Sequence, residues 1–168
     1  LSGKTLGIIG LGSIGKELVM LSKGFNFKIL AFDEYEDQWF SMKNDVKYCS
    51  LDYLISNSDI VSIHLALSKS TENLINGTIL KTMKKKSILI NTSRGEVLDE
   101  SALYRLLEKN LIFGAGLDVY KNEPYNGPFQ NLNNVVHTQH IGSYAEEIRI
   151  DMENQAGLNL LKGLKTNV

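Results

Sequence analysis

The sequence predicts an α/β chain with a doubly wound, mostly parallel sheet and helices on both faces. Three observations carry this. Short β-branched runs alternate with longer amphipathic ones, the pattern of strand–helix–strand units. Several strand runs are apolar throughout, as in ILIN at 88–91, which marks strands buried on both faces. A glycine-rich turn joins the first strand run to the first helical one.

The elements follow in order. Residues 5–9 read as a strand and 13–23 as a helix with Ile14, Leu18 and Leu21 on one face. Strands are expected at 27–32 and 46–49, a short helix at 51–57, and a buried strand at 59–65. A helix over 76–83 leads to a strand at 87–91. Asp99 caps a helix running to Lys109, with Leu103, Leu106 and Leu107 facing inward. Strands at 113–119 and 134–138 and a long helix from 143 to 161 complete the pattern. Residues 122–134 hold both prolines and read as a loop.

Composition narrows the function classes. The 168 residues carry a formal net charge of −1, which gives no reason to expect nucleic acid or an acidic membrane as partner. The only dense basic run, Lys84 to Lys86, reads as a solvated helix end. The single cysteine, Cys49, excludes an internal disulfide and fits a reducing compartment, so a cytoplasmic location is expected. No apolar run reaches the roughly 20 residues that span a bilayer. The sequence is expected to form one domain over 1–168, and no metal site is expected.

The glycine turn is Gly10-Leu11-Gly12-Ser13-Ile14-Gly15, a full G-x-G-x-x-G between strand and helix. In that context it is the phosphate-binding turn of a Rossmann-type domain. Gly10 permits the turn, Gly12 admits the pyrophosphate close to the backbone, and Gly15 lets the helix approach the strand. The free N–H groups of the helix start, and its partial positive charge, suit phosphates. Asp33 closes the second strand, where a carboxylate accepts hydrogen bonds from ribose hydroxyls and repels a 2′-phosphate. NAD is therefore expected over NADP. Glu34 can share that role.

Three further segments follow strands and so fall at the carboxyl edge of the sheet, where such sheets bind ligands. They are Asn91 to Gly95, Gly116 to Pro124 and Thr138 to Ser143. An arginine, a carboxylate and a histidine gathered there suit reduction of a 2-oxo acid. Arg94 can grip a carboxylate with its planar fork. His140 can give a proton to the developing alkoxide, and Glu123 favours its protonated ring.

These segments resemble the nucleotide-binding domain of the D-isomer-specific 2-hydroxyacid dehydrogenases, a family of phosphoglycerate, lactate, glycerate and related dehydrogenases. The resemblance rests on ILINTSRGEVLDESAL at 88–103 and GAGLDVYKNEP at 114–124, and extends from Gly3 to about Gly163. It implies that Arg94 binds substrate, that Glu123 supports the histidine and that His140 is the acid/base. It also implies that Asp118 contacts the nicotinamide carboxamide, with Thr92, Ser93 and Gly142 lining that site. His64, Leu65 and Ala66 would border adenine and ribose, and Ser13 and Ile14 would meet the pyrophosphate.

Two positions depart from the family pattern. Gln139 stands where the family usually has proline before its histidine, and Ala66 where it usually has proline two residues after the position of His64. Proline stiffens a loop, so its loss bears on how firmly His140 and the adenine wall are held. His137 and Tyr120 read as packing residues.

The resemblance further implies a second domain that carries part of the substrate pocket and precedes the glycine turn in the chain. That domain is expected to lie outside this sequence, which leaves a chain that binds NAD but turns over slowly alone. A phosphoglycerate-type substrate is favoured among 2-hydroxy and 2-oxo acids, and a homodimer is expected. The competing reading is a non-catalytic, NAD-responsive binding module of the corepressor kind.

Overall fold

A computed structural model describes residues 1–165. Seven strands form one parallel sheet: β1 (Thr5–Ile9), β2 (Lys28–Phe32), β3 (Val46–Tyr48), β4 (Ile60–Ile63), β5 (Ile88–Asn91), β6 (Gly114–Leu117) and β7 (Val135–His137). Their spatial order is β3-β2-β1-β4-β5-β6-β7, so chain direction across the sheet reverses between β1 and β4. Crevices at such switch points receive dinucleotides.

The helices are α1 (Ser13–Ser22), α2 (Gln38–Asn44), α3 (Leu51–Asn57), α4 (Gly77–Leu80), α5 (Glu100–Glu108) and α6 (Glu146–Lys165). Two separate apolar cores show that both sheet faces are covered. Val19 of α1 packs with Leu6, Ile8, Ile29 and Val46. On the other face Leu54 and Ile55 of α3 and Leu103 and Leu107 of α5 pack with Ile9, Ile63 and Leu89. Side chains capping α2, α3, α4 and α5 accept from first-turn N–H groups: Asp37, Ser50, Asn76 and Asp99 respectively.

The apolar side of α1 is not its buried side. Ile14 and Leu21 are 70% and 71% exposed, while Gly15, Val19 and Ser22 are buried. The cause is close helix–strand approach: a Cβ on Gly15 would lie 2.3 Å from the Gly10 carbonyl oxygen. Only the small-residue side of the helix fits there. The helix α2 has no counterpart in the sequence reading: it is seven residues long and buries only Ser41, with Phe40 partly packed and Trp39 and Met42 exposed.

Most strands are shorter at their ends than the apolar runs suggest, since pairing stops before hydrophobicity does. The segment 122–134 contains one 3-10 turn, Pro128–Asn131, which buries Phe129. Lys84 is not merely solvated: its ammonium lies 3.4 Å from Asp59, whose other oxygen accepts from the Thr5 N–H. His137 lies in β7 with its Nδ1 enclosed and without a protein partner. The side chains of α6 are exposed from 146 to 164. No helix among the described residues is long and apolar enough to cross a membrane.

Candidate active site at the carboxyl edge

The glycine turn sits at the switch point. Gly10 has φ +93, and a Cβ there would meet the His64 carbonyl oxygen at 2.7 Å. Only glycine satisfies both conditions. By contrast, a Cβ on Gly12 would find nothing within 4 Å. Nothing within the protein therefore requires glycine at Gly12 for space. The start of α1 has no side-chain cap and no acidic residue in its first turn, so the N–H groups around Ser13 and Ile14 are available to phosphates.

Asp33 lies opposite this turn. One carboxylate oxygen accepts from Leu11 N at 2.6 Å and the other from Tyr35 N at 2.9 Å. Asp33 therefore shapes the turn. Each oxygen keeps a lone pair for a hydroxyl. Beyond β4, the Ser62 hydroxyl contacts Nε2 of His64 at 2.9 Å, and burial pushes the His64 ring below its usual range. Ala66 lacks a proline's stiffness, but its carbonyl accepts from the Thr71 hydroxyl at 2.7 Å, which ties the loop back on itself.

The other three loops come from the ends of β5, β6 and β7. Asn91, fully buried, organises the first. Its amide donates to Arg94 O at 2.9 Å, and its carbonyl oxygen accepts from Ser93 N and the Ser93 hydroxyl. Ser93 is thereby buried, while Thr92 and Arg94 are exposed on the loop. Gly95 follows, where a Cβ would lie 2.0 Å from the Tyr120 carbonyl carbon and 2.2 Å from Lys121 N. The β5 and β6 loops touch backbone to backbone at this point. The sequence reading gave no role to Asn91 or Gly95. Their signal was present in Asn91-Thr92-Ser93-Arg94-Gly95, an Asx-type turn closed by glycine.

Glu123 bridges the second and third loops. Its Oε1 accepts from Tyr120 N at 2.9 Å, and its Oε2 lies 2.8 Å from His140 Nδ1. Burial alone would raise the Glu123 carboxyl. The His140 hydrogen bond, the Tyr120 N–H and the nearby ring charge outweigh it and hold Glu123 below the usual carboxylate range. The third loop hangs on Asp118, whose carboxylate accepts from the Thr138 hydroxyl, Ile141 N and Gly142 N. Burial opposes ionisation there too, but these donors keep Asp118 low.

Arg94, Glu123 and His140 line one cavity of about 250 Å³, together with Gly95, Tyr120 and Lys121. A larger hollow of about 920 Å³ lies between α5 and the 121–129 loop and contains none of the three. The smaller cavity is the one that gathers the arginine, the carboxylate and the histidine. Among the described residues no group of three or more His, Cys, Asp or Glu side chains gathers as a metal site would require.

Comparison with known proteins agrees with this geometry. Residues 1–142 match the family described as "D-isomer specific 2-hydroxyacid dehydrogenase, NAD binding domain". The chain belongs to that family. Among its dehydrogenase relatives, the chain is 41% identical to a glyoxylate reductase of Thermococcus litoralis, over 100% of its own length and 51% of the relative's. It is 40% identical to a glyoxylate reductase of Korarchaeum cryptofilum, over 95% and 48%. Of solved structures, an acyclic imino acid reductase in complex with NADPH and D-Arg aligns with TM-score 0.87 and 32% identity, covering 98% of this chain and 52% of that one. Holo D-mandelate dehydrogenase of Rhodotorula graminis aligns with TM-score 0.85 and 32% identity, over 91% and 46%. The chain thus spans about half the length of the relatives it matches. The open cradle at Gly12 and the uncapped start of α1 fit the dinucleotide that this dehydrogenase domain binds.

Proposed function

We propose that this domain is the cofactor half of an NAD-dependent D-2-hydroxyacid dehydrogenase that reduces a small 2-oxo acid. The observation that carries the reading is the shared cavity of Arg94, Glu123 and His140. Arg94 would hold the substrate carboxylate in bidentate fashion. Bound NADH would supply the hydride that the carbonyl carbon requires. With Nδ1 of His140 engaged by Glu123, Nε2 is the atom left to face substrate. His140 then gives its Nε2 proton to the carbonyl oxygen in reduction, and takes the hydroxyl proton in oxidation.

The site roles proposed at the cofactor end are the glycine turn, Asp33, the wall of His64, Leu65 and Ala66, and the surround of Thr92, Ser93, Asp118 and Gly142. The acidic Asp33 favours NAD over NADP. The names of the relatives favour a glyoxylate-sized substrate over the phosphoglycerate type. Residues 1–168 are read as one NAD-binding domain. Because the relatives are about twice as long, surface outside these residues is proposed to close over the substrate and exclude water. Exposed Ile148, Ile150, Leu160 and Leu161 on α6 support a homodimer or contact with that surface. A cytoplasmic setting fits the free, half-buried Cys49.

The test is NADH oxidation with a panel including glyoxylate, pyruvate and hydroxypyruvate. The isolated chain should turn over far below the 1–1000 s⁻¹ typical of enzymes; rates in that range would overturn the two-part site. In the enzyme carrying its substrate-closing part, His140→Ala should lower kcat by about 10²–10⁴-fold with unchanged NADH affinity. An unchanged kcat would refute the role of His140. Absent activity before mutation would favour the binding-module reading.

A further inference from the structure

His140 is an unusual place for an acid/base group to be fixed. It is exposed, its backbone has φ +56, and its ring has one partner, Glu123. Proline, usual in the family before this histidine, is replaced by Gln139. The side chain of Gln139 makes two hydrogen bonds to one residue. Its Oε1 accepts from Tyr125 N at 3.1 Å, and its Nε2 donates to Tyr125 O at 3.2 Å. The amide thus engages both polar groups of that residue's backbone, as a paired strand would, and shares the Tyr125 carbonyl with Gln130 Nε2 at 3.3 Å.

Tyr125 is a firm anchor. It is 8% exposed, its ring stacks on Tyr120 with centroids 3.7 Å apart, and its hydroxyl accepts from Phe129 N at 3.1 Å. Tyr120 in turn donates its N–H to Glu123 Oε1. The contacts close a ring: Gln139 to Tyr125, Tyr125 to Tyr120, Tyr120 to Glu123, Glu123 to His140, and His140 back to Gln139 along the chain.

We propose that Gln139 is a positioning residue, a two-pronged amide clamp that docks the exposed histidine loop onto the buried tyrosine stack and so keeps His140 Nδ1 on Glu123. The proposal rests on the catalytic reading of His140 for its purpose, but not for its test. Proline would stiffen the backbone from within; Gln139 ties it from outside. Two loops carry the Glu123–His140 pair, and a shift of about 1 Å between them is enough to cost roughly 10²-fold in rate.

Glu123 on Nδ1 selects the neutral tautomer with hydrogen on Nδ1, leaving Nε2 as acceptor. Free imidazole populates both forms. Long-range ¹H–¹⁵N spectra of the His140 ring, recorded without substrate at alkaline pH, read the tautomer ratio directly. The Nδ1–H form should predominate in the wild type. Gln139→Ala should shift the ratio towards that of free imidazole, with NADH affinity within about twofold of wild type. Gln139→Glu keeps the length and an acceptor but loses the donor to Tyr125 O, and should shift the ratio the same way even if the alanine variant folds poorly. A wild-type ratio in either folded variant would overturn the clamp, as would loss of NADH binding together with the tautomer order, which would mark general collapse. If the ratio shifts while the wild-type enzyme reduces no 2-oxo acid, the clamp stands and the catalytic reading of His140 falls.

Discussion

The backbone N–H of His140 donates to the carbonyl oxygen of Asp118 at 2.8 Å. The Asp118 carboxylate reaches past it to the N–H groups of Ile141, at 2.9 Å, and Gly142, at 3.3 Å. One residue at the end of β6 thereby fixes three successive amides of the loop after β7. This explains how a histidine keeps a left-handed backbone on an exposed turn.

Asp118→Ala should therefore act on stability as well as on the site. Three donors lose their acceptor, and the mutant should be destabilised by about 1–3 kcal/mol, measured by urea unfolding. The pH dependence follows from the depressed carboxyls of Asp118 and Glu123. Their folded values lie below the ordinary 3.8 and 4.5, so their contribution is complete above those values. It is lost as pH falls from there through the lower folded values. Acid unfolding of the wild type should steepen below that point, and Asp118→Ala should flatten it. Parallel acid profiles for the two proteins would contradict the assignment.

Gly95 makes a second prediction. Its added Cβ would strike the backbone of Tyr120 and Lys121, which cannot swing aside as a side chain can. Gly95→Ala should cost about 1–3 kcal/mol of stability through forced backbone movement. It should also widen the cavity that unites Arg94 with Glu123 and His140. In the assembled enzyme the KM for glyoxylate should rise, because Arg94 no longer faces the same substrate as His140. A stable variant with unchanged KM would show that the close approach is incidental.

The fold was largely legible from the chain. Apolar runs such as 88–91 marked central strands, and the glycine turn set the first strand–helix unit. The buried side of α1 was not legible, because periodicity weighs hydrophobicity and not size. There the deciding term was the close packing that Gly15 permits, which turned Ile14 and Leu21 outward. The helix α2 was missed because capping by Asp37 and its link to Lys16, at 2.6 Å, hold it more than burial does. Within the site, Arg94, Glu123 and His140 could be named from residue type and position after strands. The buried Asn91, the contact at Gly95 and the Gln139–Tyr125 pairing could not, since each depends on which loops meet in space.

The glycine turn must bind NAD(H) for every role given to the residues around it. Fluorescence titration of the chain with NADH and NADPH, for wild type and Gly12→Val, tests it most directly. The wild type should bind NADH saturably, at least tenfold more tightly than NADPH, about 1.4 kcal/mol. Gly12→Val should stay folded, since a Cβ there meets nothing within 4 Å, with a loss of about 1 kcal/mol from the N-cap position, yet lose NADH binding. Equal affinity for NADPH, or undiminished NADH binding by the valine variant, would contradict it.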